Sequence, residues 1–296
     1  MPSKTKVDGS NVLYHYLQKD LYQNDIWFFQ MLIAKLVASL GIWFRPSLYQ
    51  KIPILRPYAV RDPTCRKSTN PQGVEEWGCP NNTGYFRDDN SLIKGIPSSQ
   101  IIISPLKDLY NGRCIGNDFV ASHIWRSIDP SHSDKLLASH DPFTYSFVPN
   151  LVWLPKQVAK LTDREGSFSQ IYLQALSTKI YREVSVSPNL QPFIEQAWSR
   201  LSIPQIIPLQ GLPKENELSF FDDSPSFRQN KINDIESVAV AIQKVINHKP
   251  LDKKVVSSRY TKGLGLLSPE ALEPLGNTLM EYVIAIQETI NNEKPI

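Results

Sequence analysis

The stretch from Ile26 to Phe44, IWFFQMLIAKLVASLGIWF, has to leave water somehow, and it constrains the chain more than any other segment. A run of this kind either crosses a bilayer or is buried in a protein core. Gln30 and Lys35 interrupt it, and a lysine at a bilayer centre costs about 3 kcal/mol on insertion scales. Asp25 is suited to cap the start of a helix and Gly41 to end one. The segment therefore predicts a buried core helix, within a stretch from Asp20 to Leu48 that reads as helical throughout. Pro46, Pro53, Pro57 and Pro63 then break the periodicity, so residues 46–84 are expected to be loop-rich or to carry short strands.

The chain has 296 residues, 41% of them hydrophobic and 21% charged, which suits a folded protein able to bury a core without disulfide staples. Its three cysteines, Cys65, Cys79 and Cys114, form no C-x-x-C pair. They predict buried free thiols in a reducing cytoplasm, with neither a disulfide framework nor a structural zinc site. The opening residues are polar and predict no signal peptide. Lys and Arg number 32 against 29 Asp and Glu. That balance permits nucleic-acid binding without demanding it, so any basic surface must come from clustering. Two clusters exist: Arg56, Arg61, Arg66 and Lys67 in the proline-rich segment, and Lys249, Lys253, Lys254, Arg259 and Lys262 around Tyr260. The first could read bases, since Arg pairs bidentately with guanine, and the second could neutralise phosphates or simply be a solvated face. No Walker loop, G-x-S-x-G elbow or H-E-x-x-H motif is present.

Further along, Ile101–Ser104 reads as a short strand or as the last turn before Pro105. Asn111-Gly112, within Leu109–Ile115, predicts a hairpin turn, because both positions accept positive φ. Phe119–Trp125 is rich in β-formers and predicts a strand that carries His123. Asp129–Pro149 reads as a loop, holding His132 and His140, before the apolar run Asn150–Leu154. Pro155 can open a helix that breaks near Gly166. Beyond residue 185, Asp234–Asn247 predicts one helix and Ser268-Pro269-Glu270 opens a terminal one. The expected fold is α+β in three regions: residues 1–95 helical and loop-rich, 96–185 mixed, and 186–296 mainly helical.

Within the middle region, Ala121-Ser122-His123-Ile124, Asn150-Leu151-Val152-Trp153-Leu154, Leu161-Thr162-Asp163-Arg164 and Gly166 follow one another in order. This constellation resembles the HNH endonuclease family, over about 60 residues of the chain. Cys114 also sits where one branch of that family has a cysteine ahead of the histidine strand. The resemblance implies a central ββα-metal unit between large flanks. In it His123 would be the general base and Asn150 the middle residue, supporting the histidine loop or the metal. The family commonly places a histidine nine residues after that Asn, where this chain has Ala159; Asp163 is the nearest oxygen ligand on the same helix. A hard carboxylate there implies Mg²⁺ or another divalent cation. Ser122 stands where several members have an acid or a histidine.

The resemblance implies a metal-dependent, sequence-specific endonuclease for double-stranded DNA, like type II restriction enzymes. Such an enzyme would act as a homodimer on two-fold symmetric sites, with a companion DNA methyltransferase acting separately and no membrane partner. Arg164, Arg61, Arg66, Lys67, Lys253, Lys254 and Arg259 are the candidate DNA contacts. Blander readings stay open residue by residue: a strand histidine among aromatics for His123, a turn residue for Asn150, a helix-end charge for Asp163. Two other functions also stay open. One is an HNH nuclease in a homing, phage or toxin role, and the other is a non-catalytic DNA-binding protein on the same unit.

Overall fold

The computed structural model describes residues 26–57, 93–107, 109–127, 138, 141–163, 165–202, 212–249 and 269–292. Five short strands make one mixed sheet in the order β2-β5-β1-β4-β3. They are β1 (Ile42–Phe44), β2 (Ile102–Ile103), β3 (Phe119–His123), β4 (Leu151–Pro155) and β5 (Ser219–Phe221). Seven helices accompany them among the described residues: α1 (Ile26–Leu40), α2 (Pro46–Lys51), α3 (Lys156–Ala159), α4 (Phe168–Tyr181), α5 (Gln191–Ser199), α6 (Pro225–Ile246) and α7 (Pro269–Asn291). The architecture is α+β.

Each of the three sequence regions contributes strands or packing residues to this one sheet. β1 is central, parallel to β5 and antiparallel to β4. Phe44, Trp153 and Phe221, one from each region, meet with ring centroids 5.1 to 5.3 Å apart. Aromatic pairs at this spacing, mostly edge to face, stabilise beyond the area they bury. Tyr181 ties α4 to β1 by donating from its hydroxyl to the Phe44 carbonyl at 2.6 Å. Trp198 of α5 donates from Nε1 to the Tyr49 hydroxyl of α2 at 2.9 Å, and burial pushes that phenol up to about 12.

The apolar N-terminal run departs from the single helix expected over Asp20–Leu48. α1 stops at Gly41, as its end signal indicates, but Ile42–Phe44 then turn into the central strand. A Cβ on Gly41 would lie 3.0 Å from Val152 Cγ2, so any side chain at this corner would press on β4. Nor is α1 buried all round. Ala34, Val37 and Ala38 face the core, whereas Phe28, Leu32 and Leu36 remain about half exposed or more. At 15 residues α1 is too short to span a membrane, and no described helix is long and apolar enough to do so. Residues 20–25 lie outside the described part of the chain.

The C-terminal region also differs from expectation. It contains β5, whose Ser219, Phe220 and Phe221 are all buried between β1 and β2. α6 begins nine residues before Asp234, at a Ser224 cap whose hydroxyl accepts from the Phe227 N–H at 3.3 Å, with Pro225 at the first position. α7 begins at Pro269, as its start signal indicates, and packs along α6.

Candidate functional site

β3 and β4 pair antiparallel over five residues, from Phe119 opposite Pro155 to His123 opposite Leu151. β4 is buried except at its last residue, because it lies between β1 and β3. β3 is an edge strand and only half buried. The pairing ends where residues Val148–Asn150 form a 3₁₀ turn, so Asn150 sits just before the strand and not within it. His123 thus stands at the very end of β3, partly exposed, opposite the start of β4.

The hairpin expected at Leu109–Ile115 does not form. Asn111-Gly112 makes a turn, with Gly112 at φ 75°. Its hydrogen bonds go back to Ile102: Gly112 N–H donates to the Ile102 carbonyl, and Ile102 N–H donates to that of Arg113, each at 2.8 Å. The Asn111 side chain accepts from Ser104 N–H at 3.1 Å. The two strands around His123 are instead joined by the long connection 124–150.

Asn150 latches both ends of that connection. Its Oδ1 accepts from the Trp125 N–H at 2.7 Å, its Nδ2 donates to the Thr144 carbonyl at 3.0 Å, and its own carbonyl accepts from Ile124 N–H at 3.0 Å. The side chain is fully buried. Both amide atoms are engaged by backbone of the 124–150 connection. The next carbonyl along, that of Tyr145, lies 2.9 Å from His123 Nε2. A carbonyl can only accept, so this contact places the proton of the neutral ring on Nε2 and the lone pair on Nδ1. The Tyr145 and His123 rings also lie 5.5 Å apart at 32°. Successive carbonyls, Thr144 and Tyr145, therefore orient Asn150 and His123.

The turn that follows α3 is tied to the same place. Gln170 of α4 accepts from Gly166 N–H at 2.7 Å and donates to the Ile124 carbonyl, one residue past His123, at 3.0 Å. Gln174 donates to that carbonyl too, at 3.2 Å. Gly166 takes φ 72°, a left-handed conformation that side chains resist. Asp163 closes the 3₁₀ turn Lys160–Thr162 that extends α3, and is exposed. Glu165, also exposed, has its Oε2 3.4 Å from Gln170 Nε2. Ala159 is buried in the core and contributes no ligand.

For a cation, the described residues offer exposed hard carboxylates at Asp163 and at Glu165, the latter tied through Gln170 to the Ile124 carbonyl next to His123. They contain no group of three or more His, Cys, Asp or Glu side chains placed to hold a metal. Mg²⁺ keeps several waters and takes one or two protein carboxylates with substrate oxygens. The donor chemistry fits such an open site and does not fit a closed, all-protein cage.

Arg164, Arg61, Arg66, Lys67, Lys253, Lys254 and Arg259 lie outside the described residues, as do His132, His140, Cys65 and Cys79. Arg56, the described member of the first basic cluster, is 7% exposed. Its burial removes it from any solvated face. Cys114 is a free thiol but is exposed, contrary to the buried thiol expected.

Sequence reasoning missed Tyr145, Gln170 and Asp141. Tyr145 acts through its backbone, so its side-chain identity carries no signal. Gln170 is one polar residue in an otherwise ordinary helix. Asp141-Pro142 is a legible turn start, but nothing local connects it to His123. No protein-family model, curated protein or solved structure matches the chain.

Proposed function

We propose that this chain is a divalent-cation-dependent endonuclease acting on double-stranded DNA, similar in kind to type II restriction enzymes of the HNH class. The observation that carries the reading is the Thr144–Tyr145 carbonyl pair, which latches Asn150 and presents His123 in one tautomer at an accessible strand end. A strand followed by an antiparallel partner and then by a short helix supports it, since that is the chain order of a ββα-metal unit.

Phosphodiester hydrolysis needs a base for the attacking water. His123 Nδ1 accepts that proton as the water oxygen bonds to phosphorus; the opposite P–O bond breaks, and the leaving oxygen takes a proton from solvent. Nε2–H on the Tyr145 carbonyl holds the ring still and favours the imidazolium that results. A divalent cation bound by Asp163 would act as a Lewis acid, stabilising charge on the phosphate. Arg164 and the basic clusters would grip phosphates and position the duplex. A homodimer would cut both strands of a symmetric site, and a separate methyltransferase would protect host DNA.

The test is digestion of long unmethylated DNA with Mg²⁺, Mn²⁺ or EDTA, beside His123→Ala. Discrete metal-dependent bands that disappear in the variant are expected; full nicking by His123→Ala would sink the mechanism. A smear would mean a nuclease without site specificity. Uncut DNA with a retarded band in a binding assay would favour a non-catalytic DNA-binding protein, a reading motivated by Ala159 at the family's ligand position.

A further inference from the structure

We infer that Asp141 and Arg200 are positioning residues for His123, a role that rests on reading His123 as the general base. Asp141 is 3% exposed and starts the turn that ends at Tyr145. Its Oδ1 accepts from Phe143 N–H at 2.8 Å and Thr144 N–H at 3.1 Å. Its backbone carbonyl accepts from Tyr145 N–H at 2.8 Å. The carboxylate therefore fixes the Pro142–Phe143 and Phe143–Thr144 peptides, and the Asp141 main-chain carbonyl fixes the Thr144–Tyr145 peptide whose carbonyl Asn150 reaches; the turn built this way leads into the Tyr145 carbonyl that meets His123.

Three backbone donors thus converge on Asp141, two of them on its carboxylate, and a carboxylate held in so little solvent needs a countercharge. Arg200 supplies it. Its Nη1 pairs with Asp141 Oδ2, and its guanidinium also covers the Phe143 ring with the Cζ atom 4.7 Å from the centroid. Arg200 caps the end of α5, in the C-terminal region of the chain. The same end of that helix holds the far side of the connection, because Ser202 accepts from Trp125 Nε1 at 2.7 Å. Trp198 packs edge-on against both Trp125, at 5.8 Å, and Phe147, at 5.2 Å. One helix end thus clamps the residues just after His123 and the turn whose carbonyl orients it.

The ring tautomer of His123 reports this role directly and does not depend on DNA cleavage. Long-range ¹H–¹⁵N correlation spectra of the full chain, with His123 identified among the five histidines by a His123→Gln spectrum, should show the neutral ring locked as Nε2–H. Asp141→Asn keeps the turn's acceptor but removes the ion pair, and should give a tautomer mixture. In the cleavage assay the same variant should lose roughly tenfold in kcat, the low end for outer-shell partners of catalytic groups, with KM within about twofold. Arg200→Lys, which keeps the charge, should recover most of both signals, whereas Arg200→Gln should not. Arg200 is the more exposed partner, so Arg200→Gln carries the test if Asp141→Asn fails to fold. Folded Asp141→Asn and Arg200→Gln variants with an unchanged tautomer and unchanged kcat would overturn the inference. A shifted tautomer in a protein that cuts no DNA would instead retain the positioning role and discard the nuclease.

Discussion

The side-chain oxygen of Asn150 lies 2.7 Å from the backbone nitrogen of Trp125, two residues past His123, while its amide nitrogen reaches the Thr144 carbonyl. One buried side chain thus closes the connection between β3 and β4 at both ends. Asn150→Ala would strand a buried N–H and a buried carbonyl. Each unsatisfied group costs about 1–3 kcal/mol, so a loss of about 2–6 kcal/mol is expected in urea denaturation. A variant as stable as the parent would remove the latch from the account.

The hydroxyl of Tyr282 in α7 accepts from the Ile54 N–H at 2.8 Å and donates to the Ile54 carbonyl at 3.0 Å. This double contact joins backbone 228 residues away to the terminal helix. Tyr282→Phe keeps the ring and removes both partners, leaving Ile54 polar groups in a dry site. Chemical denaturation should register a loss of about 1–3 kcal/mol. A neutral result would mean that water replaces the hydroxyl there.

Gly276 lies inside α7, where alanine would ordinarily favour the helix by about 1 kcal/mol. Here an added Cβ would stand 2.7 Å from Ile242 Cγ2 of α6. Ile242 is fully buried and has no solvent side to turn towards. Overpacking a filled interface costs about 1–3 kcal/mol, so Gly276→Ala should lower the melting temperature despite its better propensity. A raised melting temperature would show that the two helices separate at little cost.

Burial pushes the Asp223 carboxyl above its ordinary value, against the opposing pull of Arg228, Ser47 and Lys51. The folded state therefore resists ionising this group more than the unfolded chain does. The stability it contributes is complete below the unfolded value, near 4, and is lost as pH rises through the higher folded value. Asp223→Asn abolishes that titration. Its stability relative to the parent should increase between about pH 3 and pH 7, as read from thermal melts at each pH. A variant stability relative to the parent that stays constant or falls as pH rises would contradict the upward shift.

Local sequence accounts for a good part of the fold, and the reasons are short-range. Gly41 ends α1, β-formers make Phe119–His123 a strand, and Pro269 opens α7. Each is decided by turn chemistry or steric preference within a few residues. The Ser224-Pro225 start of α6 was equally legible, although the apolar stripe by itself points to a later beginning. β1 and β5 were not legible. Three residues are too few to show alternation, and Ile42–Phe44 continues an apolar helix pattern without a break in hydrophobicity. They become strands because each offers the other a paired edge, a benefit that exists only once residues far apart in the chain have met.

The candidate site divides along the same line. The order of His123, Asn150 and Asp163 was set by the sequence alone, because their chemistry belongs to their side chains. Which nitrogen of His123 keeps its lone pair, and whether Asn150 supports the loop or faces a ligand, depended on the backbone carbonyls of Thr144 and Tyr145. Every residue but proline presents the same donor and acceptor there, so no residue letter could mark them. The ion pair from Asp141 to Arg200 spans 59 residues, and such a pair is formed by the packing of α5 against the turn. The sequence determined which chemical groups were available and where short elements begin and end. Only the tertiary structure decided which of those groups meet, because hydrogen-bond and charge partners are chosen by distance in space.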